Sequence, residues 1–478
     1  MTRTNLLILM SDEHQARAMG CAGHPFVRTP NLDGLAARGI RFTDAYTPSP
    51  ICVPARASFA TGQPVHVTRL WDNAMPYDGA IPGWGHALQK GGVPVESIGK
   101  LHYRATEDPA GFDTEYLPMH VADGVGMVWA SIRREDERVV QTKGRMLGDY
   151  IGPGTSKYTD YDAAVTDRAV RWLRDRAASG DAQPWCLYVG LVAPHFPLVC
   201  PQEFYDLYPP AVLPPVKLHP RDGHPRHPWV EKQNAMMDSE SKFRDEDERL
   251  RAMSSYFGLV SWLDHNVGRI LSALDEAGLG DTTTVVYTSD HGDNVGARGL
   301  WGKSNLYQES VAVPLILAGP GISRGTCDTA VDLLDLAATV PAHFGLAFDA
   351  PGTPLPDLAA APADPDRAIL SEYHAAGAVS GAFMLKKGRW KLNHYIGFDP
   401  ELFDLKSDPE ETSNLATYPE HAVTLADMQA ALRARLDPEA TDRRAFADQA
   451  ALIARHGGRE AALKLGAPGA TPPPEIAR

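Results

Sequence analysis

Apolar and polar positions alternate along the chain with two periods, one of which predicts strands and the other helices. Short runs of mostly apolar residues predict strands at 5–10, 93–98, 185–192, 283–288 and 313–317. Apolar residues at helical spacing predict helices over 32–38, 163–178, 246–277 and 331–344. We expect Asn31 to cap the first of these helices and Gly39 to end it. The alternation predicts an α/β domain with a mixed, mainly parallel sheet flanked by helices.

The pattern changes near residue 350, where a segment rich in Pro, Ala and Asp predicts a linker or long loop over 350–365. Strand-like pieces follow at 368–373, 381–387, 389–395 and 402–405, and a helix is predicted over 420–436. We therefore divide the chain into an α/β domain at 1–350, a smaller α+β domain on an antiparallel sheet at 366–440, and a tail at 441–478. The tail carries a predicted helix at 444–455. It is expected to pack or to form an oligomer contact, with a frayed terminus as the alternative.

Composition and charge place the chain among ordinary soluble globular proteins. It has 478 residues, of which 44% are hydrophobic and 22% charged. The formal net charge of -14 argues against non-specific binding to nucleic acid or anionic membranes, although it is compatible with a local basic pocket. We expect no membrane span and no secretory signal, because the apolar run at 6–10 is short and is followed by acidic residues. Five scattered cysteines, an odd number, predict reduced thiols in a cytoplasmic protein.

Two carboxylates follow predicted strands that lie far apart in the sequence. Asp12 comes after the strand at 5–10, and Asp290 comes after the strand at 283–288. Because ligands gather at the carboxyl ends of parallel strands, these two residues can meet in space. Glu13 adds a second acid and His291 adds an imidazole, and such a set suits a divalent metal ion. On the residues alone, a solvated acidic loop and a polar turn are the alternatives.

The most specific motif is Cys52-x-Pro54-x-Arg56, which ends in Thr61-Gly62. It resembles the signature of type I sulfatases in the alkaline phosphatase superfamily, closest to the branch of choline sulfatases, arylsulfatase-like enzymes and phosphonate monoester hydrolases. The resemblance covers most of residues 4–416. It implies an alkaline-phosphatase-like fold with its catalytic domain at 1–350, and oxidation of Cys52 to Cα-formylglycine by a separate formylglycine-generating enzyme. Without the motif, a buried thiol would be the ordinary interpretation of Cys52.

The same resemblance implies one divalent metal ion, bound by Asp12, Glu13, Asp290, His291 and the converted Cys52. Ca²⁺ is the usual ion of the family, and Mn²⁺ or Mg²⁺ are alternatives. Glu13 stands where Asp is more usual. His291 stands where many sulfatases have Asn, whereas choline sulfatases and phosphonate monoester hydrolases share the histidine.

Further motifs of this resemblance supply catalytic and substrate-binding residues. Lys100 and His102 lie in Gly-Lys-x-His, and extended geometry is expected to turn both to the same side. The resemblance implies that Lys100 contacts sulfate and that His102 is a base. It also implies that Arg56 binds the formylglycine oxygens. His195, in Pro-His-x-Pro, and Lys303 are implied to contact sulfate and the leaving group. Asn73 matches an asparagine near the formylglycine.

Other residues are proposed from position alone. Glu309 and His374 are expected to line the pocket. Five more are candidates for either the pocket or ordinary packing, namely Trp71, Tyr103, Arg104, Trp129 and Trp301.

The resemblance thus predicts a sulfuric ester hydrolase that converts a sulfate monoester to an alcohol and sulfate. A formylglycine-dependent phosphonate monoester or phosphodiester hydrolase is the main alternative, although the Lys100–His102 pair favours sulfate. A non-catalytic binding protein on the same fold is a third. Expected partners are a small-molecule sulfate ester, the maturation enzyme and further copies of the chain in a homo-oligomer. Aryl, alkyl, choline and sugar sulfates all remain open, because variable loops build the leaving-group pocket.

Overall fold

A computed structural model describes residues 4–133, 139–140, 146–467 and 470–476. The strands are β1 (Asn5–Asp12), β2 (Ile40–Phe42), β3 (Ala45–Tyr46), β4 (Val95–Lys100), β5 (Thr114–Met119), β6 (Ile151–Pro153), β7 (Cys186–Pro194), β8 (Leu198–Cys200), β9 (Thr283–Ser289), β10 (Leu315–Ala318), β11 (Gly325–Cys327), β12 (Val331–Asp332), β13 (Ala368–Tyr373), β14 (Ala382–Lys387), β15 (Trp390–Tyr395) and β16 (Glu401–Asp404). The α-helices are α1 (Pro30–Ala37), α2 (Cys52–Thr61), α3 (Val65–Thr68), α4 (Trp84–Lys90), α5 (Met146–Asp149), α6 (Lys157–Ala178), α7 (Gln202–Tyr205), α8 (Pro228–Asn234), α9 (Glu246–Glu276), α10 (Gln308–Val311), α11 (Leu333–His343), α12 (Leu355–Ala360), α13 (Ala422–Arg433), α14 (Pro438–Arg455) and α15 (Arg459–Ala462).

Eight strands form one large sheet in the order β11-β2-β10-β9-β1-β7-β4-β5. β1 pairs in parallel with both β7 and β9, whereas β10 runs antiparallel to β9 and β2. Every residue of β1 and β7 is buried, as expected for strands that are covered on both faces. The sheet is therefore mixed and mainly parallel, which confirms the predicted α/β class.

Helices cover both faces of this sheet because side chains alternate along β1. Leu6, Ile8 and Met10 pack in one apolar cluster with residues of α2, α4 and α11. Leu7 and Leu9 point to the other face and pack with α1, α6 and α9. Each square ångström of apolar surface buried in these layers contributes about 25 cal/mol, which makes them the main stabilising contacts of the domain.

The strands β13 to β16 form a second, antiparallel sheet of four. Phe383 and Leu385 on one face pack against Leu432 of α13. Met384 on the other face belongs to an apolar cluster that also contains Ile51, directly before the motif cysteine. The smaller α+β unit is thus confirmed, and it packs against the segment that leads into α2.

Local predictions differ from the structure in several places, among them the starts of α6 and α14, which lie six residues before the predicted 163 and 444. Asn31 does not cap α1, because that helix begins at Pro30 and the Asp264 carboxylate of α9 accepts the backbone N–H groups of Asn31 and Leu32. The helix predicted from 331 begins at Leu333, since 331–332 pair with β3 as β12. The predicted linker at 350–365 contains the short helix α12.

The tail packs against the large domain. Asp448 of α14 accepts a hydrogen bond from Trp71 Nε1 at 2.7 Å. The Trp129 indole donates to the Ala467 carbonyl oxygen at 3.0 Å. In the ranges that the structure covers, none of the helices combines the length and apolar character needed to cross a membrane.

Two glycines let β4 and β7 approach closely beside the site. Gly99 and Gly190 are paired across these strands. A Cβ atom on Gly190 would lie 2.1 Å from the Lys100 carbonyl oxygen, and one on Gly99 would lie 2.2 Å from the Gly190 carbonyl oxygen. Gly99 also has a φ of +96°, in the region that favours glycine. The position of Lys100 at the end of β4 therefore depends on glycine at both 99 and 190.

We predict that Gly190→Ala destabilises the fold and displaces Lys100. The added methyl group must push the Lys100 backbone aside, and overpacking of this kind costs about 1–3 kcal/mol. Urea unfolding should therefore give a lower free energy of unfolding than for wild type. Gly34→Ala is the matched control, because Gly34 lies in α1 and its added Cβ has no neighbour within 4 Å. Equal stability of the two variants would contradict the prediction.

Candidate active site

Four of the predicted site residues come from the carboxyl ends of neighbouring strands. Asp12 ends β1 and Lys100 ends β4. Asp290 directly follows β9, and His195 directly follows β7. Because β9, β1, β7 and β4 are adjacent and parallel, residues distant in sequence meet at one edge of the sheet.

Cys52 is the first residue of α2 and is only 1% exposed. Its Sγ lies 3.7 Å from Asp12 Oδ1 and 3.2 Å from His291 Nε2. One potential ligand atom from each of Asp12, Cys52, Asp290 and His291 lies within 4.8 Å of the others, and all four residues are buried. Two carboxylates and an imidazole fit a divalent cation, since Ca²⁺ and Mg²⁺ prefer oxygen ligands and Mn²⁺ also accepts nitrogen.

The Arg56 guanidinium, in the same helix, lies buried between the two carboxylates. Its Nε donates to Asp290 Oδ2 at 2.8 Å, and its Nη2 donates to Asp12 Oδ2 at 3.0 Å. Its Nη1 donates to the Tyr188 hydroxyl at 2.9 Å and to the Lys100 carbonyl oxygen at 3.1 Å. Arg56 thus holds both carboxylates in place, and Asp12 in turn contacts residue 52.

Lys100 neutralises the same Asp12 carboxylate. Its Nζ lies 2.6 Å from Asp12 Oδ2, and both side chains are buried. Burial alone would raise the pKa of Asp12, but nearby cations, Lys100 first and also Arg56, outweigh burial and hold that pKa well below its ordinary value. Asp12 is therefore ionised at neutral pH.

Glu13 faces a different set of partners from Asp12. Lys303 Nζ donates to Glu13 Oε2 at 3.0 Å, and His195 Nε2 lies 3.4 Å from the same oxygen. Burial raises the pKa of Glu13 to about 7, against the attraction of Lys303. Glu13 could share a cation with Asp12 and His195, but it is not in the group of possible ligands around Cys52.

His102 reaches the pocket by a route that the sequence did not predict. β4 ends at Lys100, and His102 has a left-handed φ of 60°, so the expected extended run from 100 to 102 is wrong. The N–H groups of Leu101 and His102 both donate to the Met119 carbonyl oxygen, which holds this turn. Burial, and then the charge of Lys100, lower the pKa of His102 well below its ordinary value. The ring is therefore neutral and able to accept a proton.

The loop that carries His195 is held by a buried acid of α6. Asp162 accepts the N–H groups of Val192 and Ala193 at 2.7 and 2.8 Å. Burial, and then Lys303, lower the pKa of His195 well below its ordinary value. Sequence reasoning missed Asp162, because an acid inside an amphipathic helix looks like a solvent-facing residue.

Asn73 supports the start of α2. Its Oδ1 accepts the Val53 N–H at 3.1 Å, which satisfies one of the free N–H groups at that helix terminus. The neighbouring Asp72 accepts the Ala74 N–H and the Ser131 hydroxyl, both at 2.8 Å. Asn73 thereby links a structured turn to the helix on which Cys52 stands, and it also lines the pocket.

Cys52, Lys100, His102, His195 and Lys303 line one cavity of about 160 Å³. Five apolar or soft side chains also line the cavity, and we call them together the outer wall, namely Met127, Met236, Met237, Phe196 and Trp301. Eight polar lining residues were missed by the sequence analysis, namely Tyr158, Gln233, Asn234, Ser239, Asp293, Ser304, Asn305 and Thr471. Of these, Asp293 had a usable signal, since it lies three residues beyond Asp290 in the same polar run.

Glu309 and His374 do not line this cavity, so that prediction is wrong. Glu309 is buried in ion pairs with Lys217 and Arg298, and His374 lies 3.4 Å from Glu372. Four of the five further candidates also lie outside the lining, namely Trp71, Tyr103, Arg104 and Trp129.

The fold and this cavity define an α/β enzyme whose pocket is lined by charged and ionisable side chains of both signs. A family model described as Sulfatase matches residues 4–346, and a model for the C-terminal part of N-sulphoglucosamine sulphohydrolase matches residues 296–438. The chain therefore belongs to the sulfatase family, and it is a sulfuric ester hydrolase.

Individual relatives agree with this family. The chain is 33% identical over 444 residues to a choline-sulfatase of Rhizobium meliloti (strain 1021), covering 90% of this chain and 85% of that protein. It is 29% identical over 467 residues to arylsulfatase K of Bos taurus, covering 87% and 79% respectively. The phosphonate monoester hydrolase of Agrobacterium radiobacter has the same fold, with a TM-score of 0.75 at 22% identity over 91% of this chain and 96% of that one. The family and fold predicted from the Cys52 motif are thus confirmed.

We predict that Arg56→Lys lowers the free energy of unfolding by about 3–5 kcal/mol, as expected when a buried charge loses its partner. A lysine cannot span Asp12 and Asp290, so at least one of these buried carboxylates loses a charged hydrogen-bond partner. Urea unfolding in the presence of a chelator measures the loss. Arg174→Lys is the control, because Arg174 is 62% exposed in its pair with Glu276 and should change stability by less than about 1 kcal/mol. A similar small effect at both positions would refute the bridging role.

Proposed function

We propose that this enzyme hydrolyses a sulfate monoester to an alcohol and sulfate through a Cα-formylglycine made from Cys52, with one divalent metal ion beside it. The observation that carries the proposal is the position of Cys52, buried at the start of α2 and within reach of Asp12 and His291. Asp12, Asp290 and His291, with the converted residue 52, would hold the ion, for which Ca²⁺ is the first candidate and Mn²⁺ or Mg²⁺ are alternatives.

The surroundings of Cys52 do not suit a cysteine nucleophile. Burial, and then the Asp12 carboxylate, raise the pKa of the Cys52 thiol to about 12. Catalytic thiolates need surroundings that lower this pKa. Formylglycine instead supplies, as its hydrate, an oxygen nucleophile and a second hydroxyl through which sulfate can be released. A separate formylglycine-generating enzyme would make this conversion.

Positive charge in the pocket would bind the sulfate group. Lys100, held beside Asp12, would stabilise the oxygens that gain charge in the transition state. A bound divalent ion would add positive charge and lower the pKa of an adjacent hydroxyl. Burial works against the charge of Lys303, but the nearby carboxylates of Glu13 and Asp12 help to keep the pKa of Lys303 well above its ordinary value. Lys303 therefore stays charged where the resemblance places the leaving-group oxygen.

Two neutral histidines would move protons. His102 would act as the base when sulfate is released, because its ring is neutral at the working pH. His195, beside Glu13, would assist Lys303 at the leaving group. His102 is buried and the side chain of His195 is only 11% exposed, so water competes little for their protons.

The outer wall supports a leaving group with apolar surface. Met127, Met236 and Met237 can adapt to an aromatic ring or to methyl groups, and Trp301 adds an aromatic face. An aryl sulfate or choline sulfate, as in the names of the two relatives above, fits this wall better than a sugar sulfate.

We also propose that the enzyme works in the cytoplasm. All five cysteines are free, and four of them are buried, as expected in a reducing compartment. Cys52 would there be available to the maturation enzyme as a thiol.

We predict that protein produced together with a formylglycine-generating enzyme hydrolyses p-nitrophenyl sulfate. Mass spectrometry should show that the peptide containing residue 52 is lighter than the unmodified cysteine peptide, because an aldehyde has replaced the CH₂–SH group. Cys52→Ala should lower kcat/KM by roughly 10³-fold or more. Cys327→Ser is the control, because Cys327 lies in β11 at the far edge of the sheet. Full activity in protein whose peptide carries only cysteine would overturn the formylglycine mechanism.

We predict that aryl sulfates and choline sulfate are hydrolysed with higher kcat/KM than monosaccharide sulfates, because three methionines and two aromatic side chains line the cavity. The same series should include a phenyl phosphonate monoester, since the fold is shared with a phosphonate monoester hydrolase. A large preference for the phosphonate would replace the proposed reaction with its alternative. A preference for sugar sulfates would refute the interpretation of the outer wall.

A further inference from the structure

We infer that Thr471, near the end of the chain, is a positioning residue of the active site that fixes the ring of His102. Thr471 Oγ1 lies 2.8 Å from His102 Nε2, although the two residues are 369 positions apart. Both line the same cavity as Cys52. The inference rests on the proposed function in one respect, namely that His102 is the base.

The hydrogen bond to Thr471 determines which ring nitrogen of His102 is free. His102 is only 5% exposed, and its Nδ1 has no hydrogen-bond partner in the described part of the chain. A neutral imidazole has one N–H and one lone pair. If Nε2–H donates to Thr471 Oγ1, the lone pair lies on Nδ1, which is then free to accept a proton. We assign Thr471 Oγ1 as the acceptor of this hydrogen bond, which gives His102 the tautomer that a base at Nδ1 requires.

The contact is built into the fold, because the segment around Thr471 is held on both sides. The Tyr158 hydroxyl of α6 donates to the Thr471 carbonyl oxygen. Ala470 and Ile476 pack against the apolar cluster on the α6 face of the sheet. The threonine therefore approaches His102 from a fixed backbone.

A second anchor lies just before this segment. Gly466 packs so closely on Gly126 that a Cβ atom would lie 1.5 Å from the Gly126 carbonyl oxygen. Gly126 is in turn close to the backbone of Asn73, since a Cβ there would lie 1.9 Å from the Asn73 carbonyl oxygen. The tail is thus connected to the turn that supports α2, so it forms part of the wall of the site.

The test compares Thr471→Val, which keeps the shape and removes the hydroxyl, with Thr471→Ser, which keeps the hydroxyl. Loss of a supporting hydrogen bond to a catalytic histidine should lower kcat by about 10- to 100-fold in the valine variant with little change in KM. The serine variant should stay within about threefold of wild type. Thr326→Val is the matched control, because Thr326 is exposed in β11 at the opposite edge of the sheet.

A second readout does not depend on activity. The nitrogen-15 shifts of the His102 ring, assigned with His102→Gln, report which nitrogen carries the proton. They are measured in protein produced without the maturation enzyme, so that residue 52 is cysteine in every variant. Wild type and Thr471→Ser should show one protonated Nε2 and one unprotonated Nδ1, whereas Thr471→Val should show averaged shifts.

Unchanged kcat and unchanged ring shifts in Thr471→Val would overturn the inference, as would a proton on Nδ1 in wild type. If the valine variant does not fold, the wild-type shifts and the serine variant still decide, because both must show the Nε2–H tautomer. Absence of formylglycine from active enzyme would overturn the proposed function instead. The ring shifts would then still test the contact between Thr471 and His102.

Discussion

The structure depends on keeping opposite charges buried together at one edge of the central sheet. Moving an ion from water into a protein interior costs several kcal/mol, and only close, well-oriented partners offset that cost. Arg56 meets this condition with hydrogen bonds to Asp12 and Asp290, and Lys100 adds a second cation to Asp12 at 2.6 Å. Salt bridges join the four elements that carry these charges, namely α2, β1, β4 and the segment after β9. A shift of any one of them would therefore leave a buried charge without its partner.

The backbone of the sheet brings these charges close enough together to offset the cost of burying them. β9, β1, β7 and β4 are parallel neighbours, so their carboxyl ends supply site residues without long loops. Close approach of β4 to β7 requires glycine at both Gly99 and Gly190. Backbone hydrogen bonds to Asp162 then fix the end of β7, from which the His195 loop departs. Positions of the charged groups are thus set mainly by strand pairing, and side-chain hydrogen bonds complete them.

Sequence reasoning succeeded where local pattern carries the information and failed where distant partners decide. The apolar runs of β1 and β7 indicated a sheet buried on both faces, and the spacing from Cys52 to Arg56 indicated the family. Asn31 looked like a helix cap, but the carboxylate that performs this role comes from α9. Glu309 was predicted to line the pocket, but it lies outside the cavity and forms buried ion pairs with Lys217 and Arg298. No pattern in a single sequence relates Thr471 to His102, since the contact exists only after the whole chain has folded.

The net charge of the pocket explains why a bound metal ion would help an anionic substrate to bind. Four carboxylates, those of Asp12, Glu13, Asp290 and Asp293, lie close to three permanent cations. With all four ionised, the protein alone leaves about one negative charge, which would repel a sulfate ester. A divalent ion reverses that sign and leaves about one positive charge for a singly charged monoester. Burial raises the pKa values of Glu13 and Asp293, so a proton on either acid would shift the balance further toward anion binding. The neutral histidines fit the same logic, because positive rings would add charge that the ester does not need.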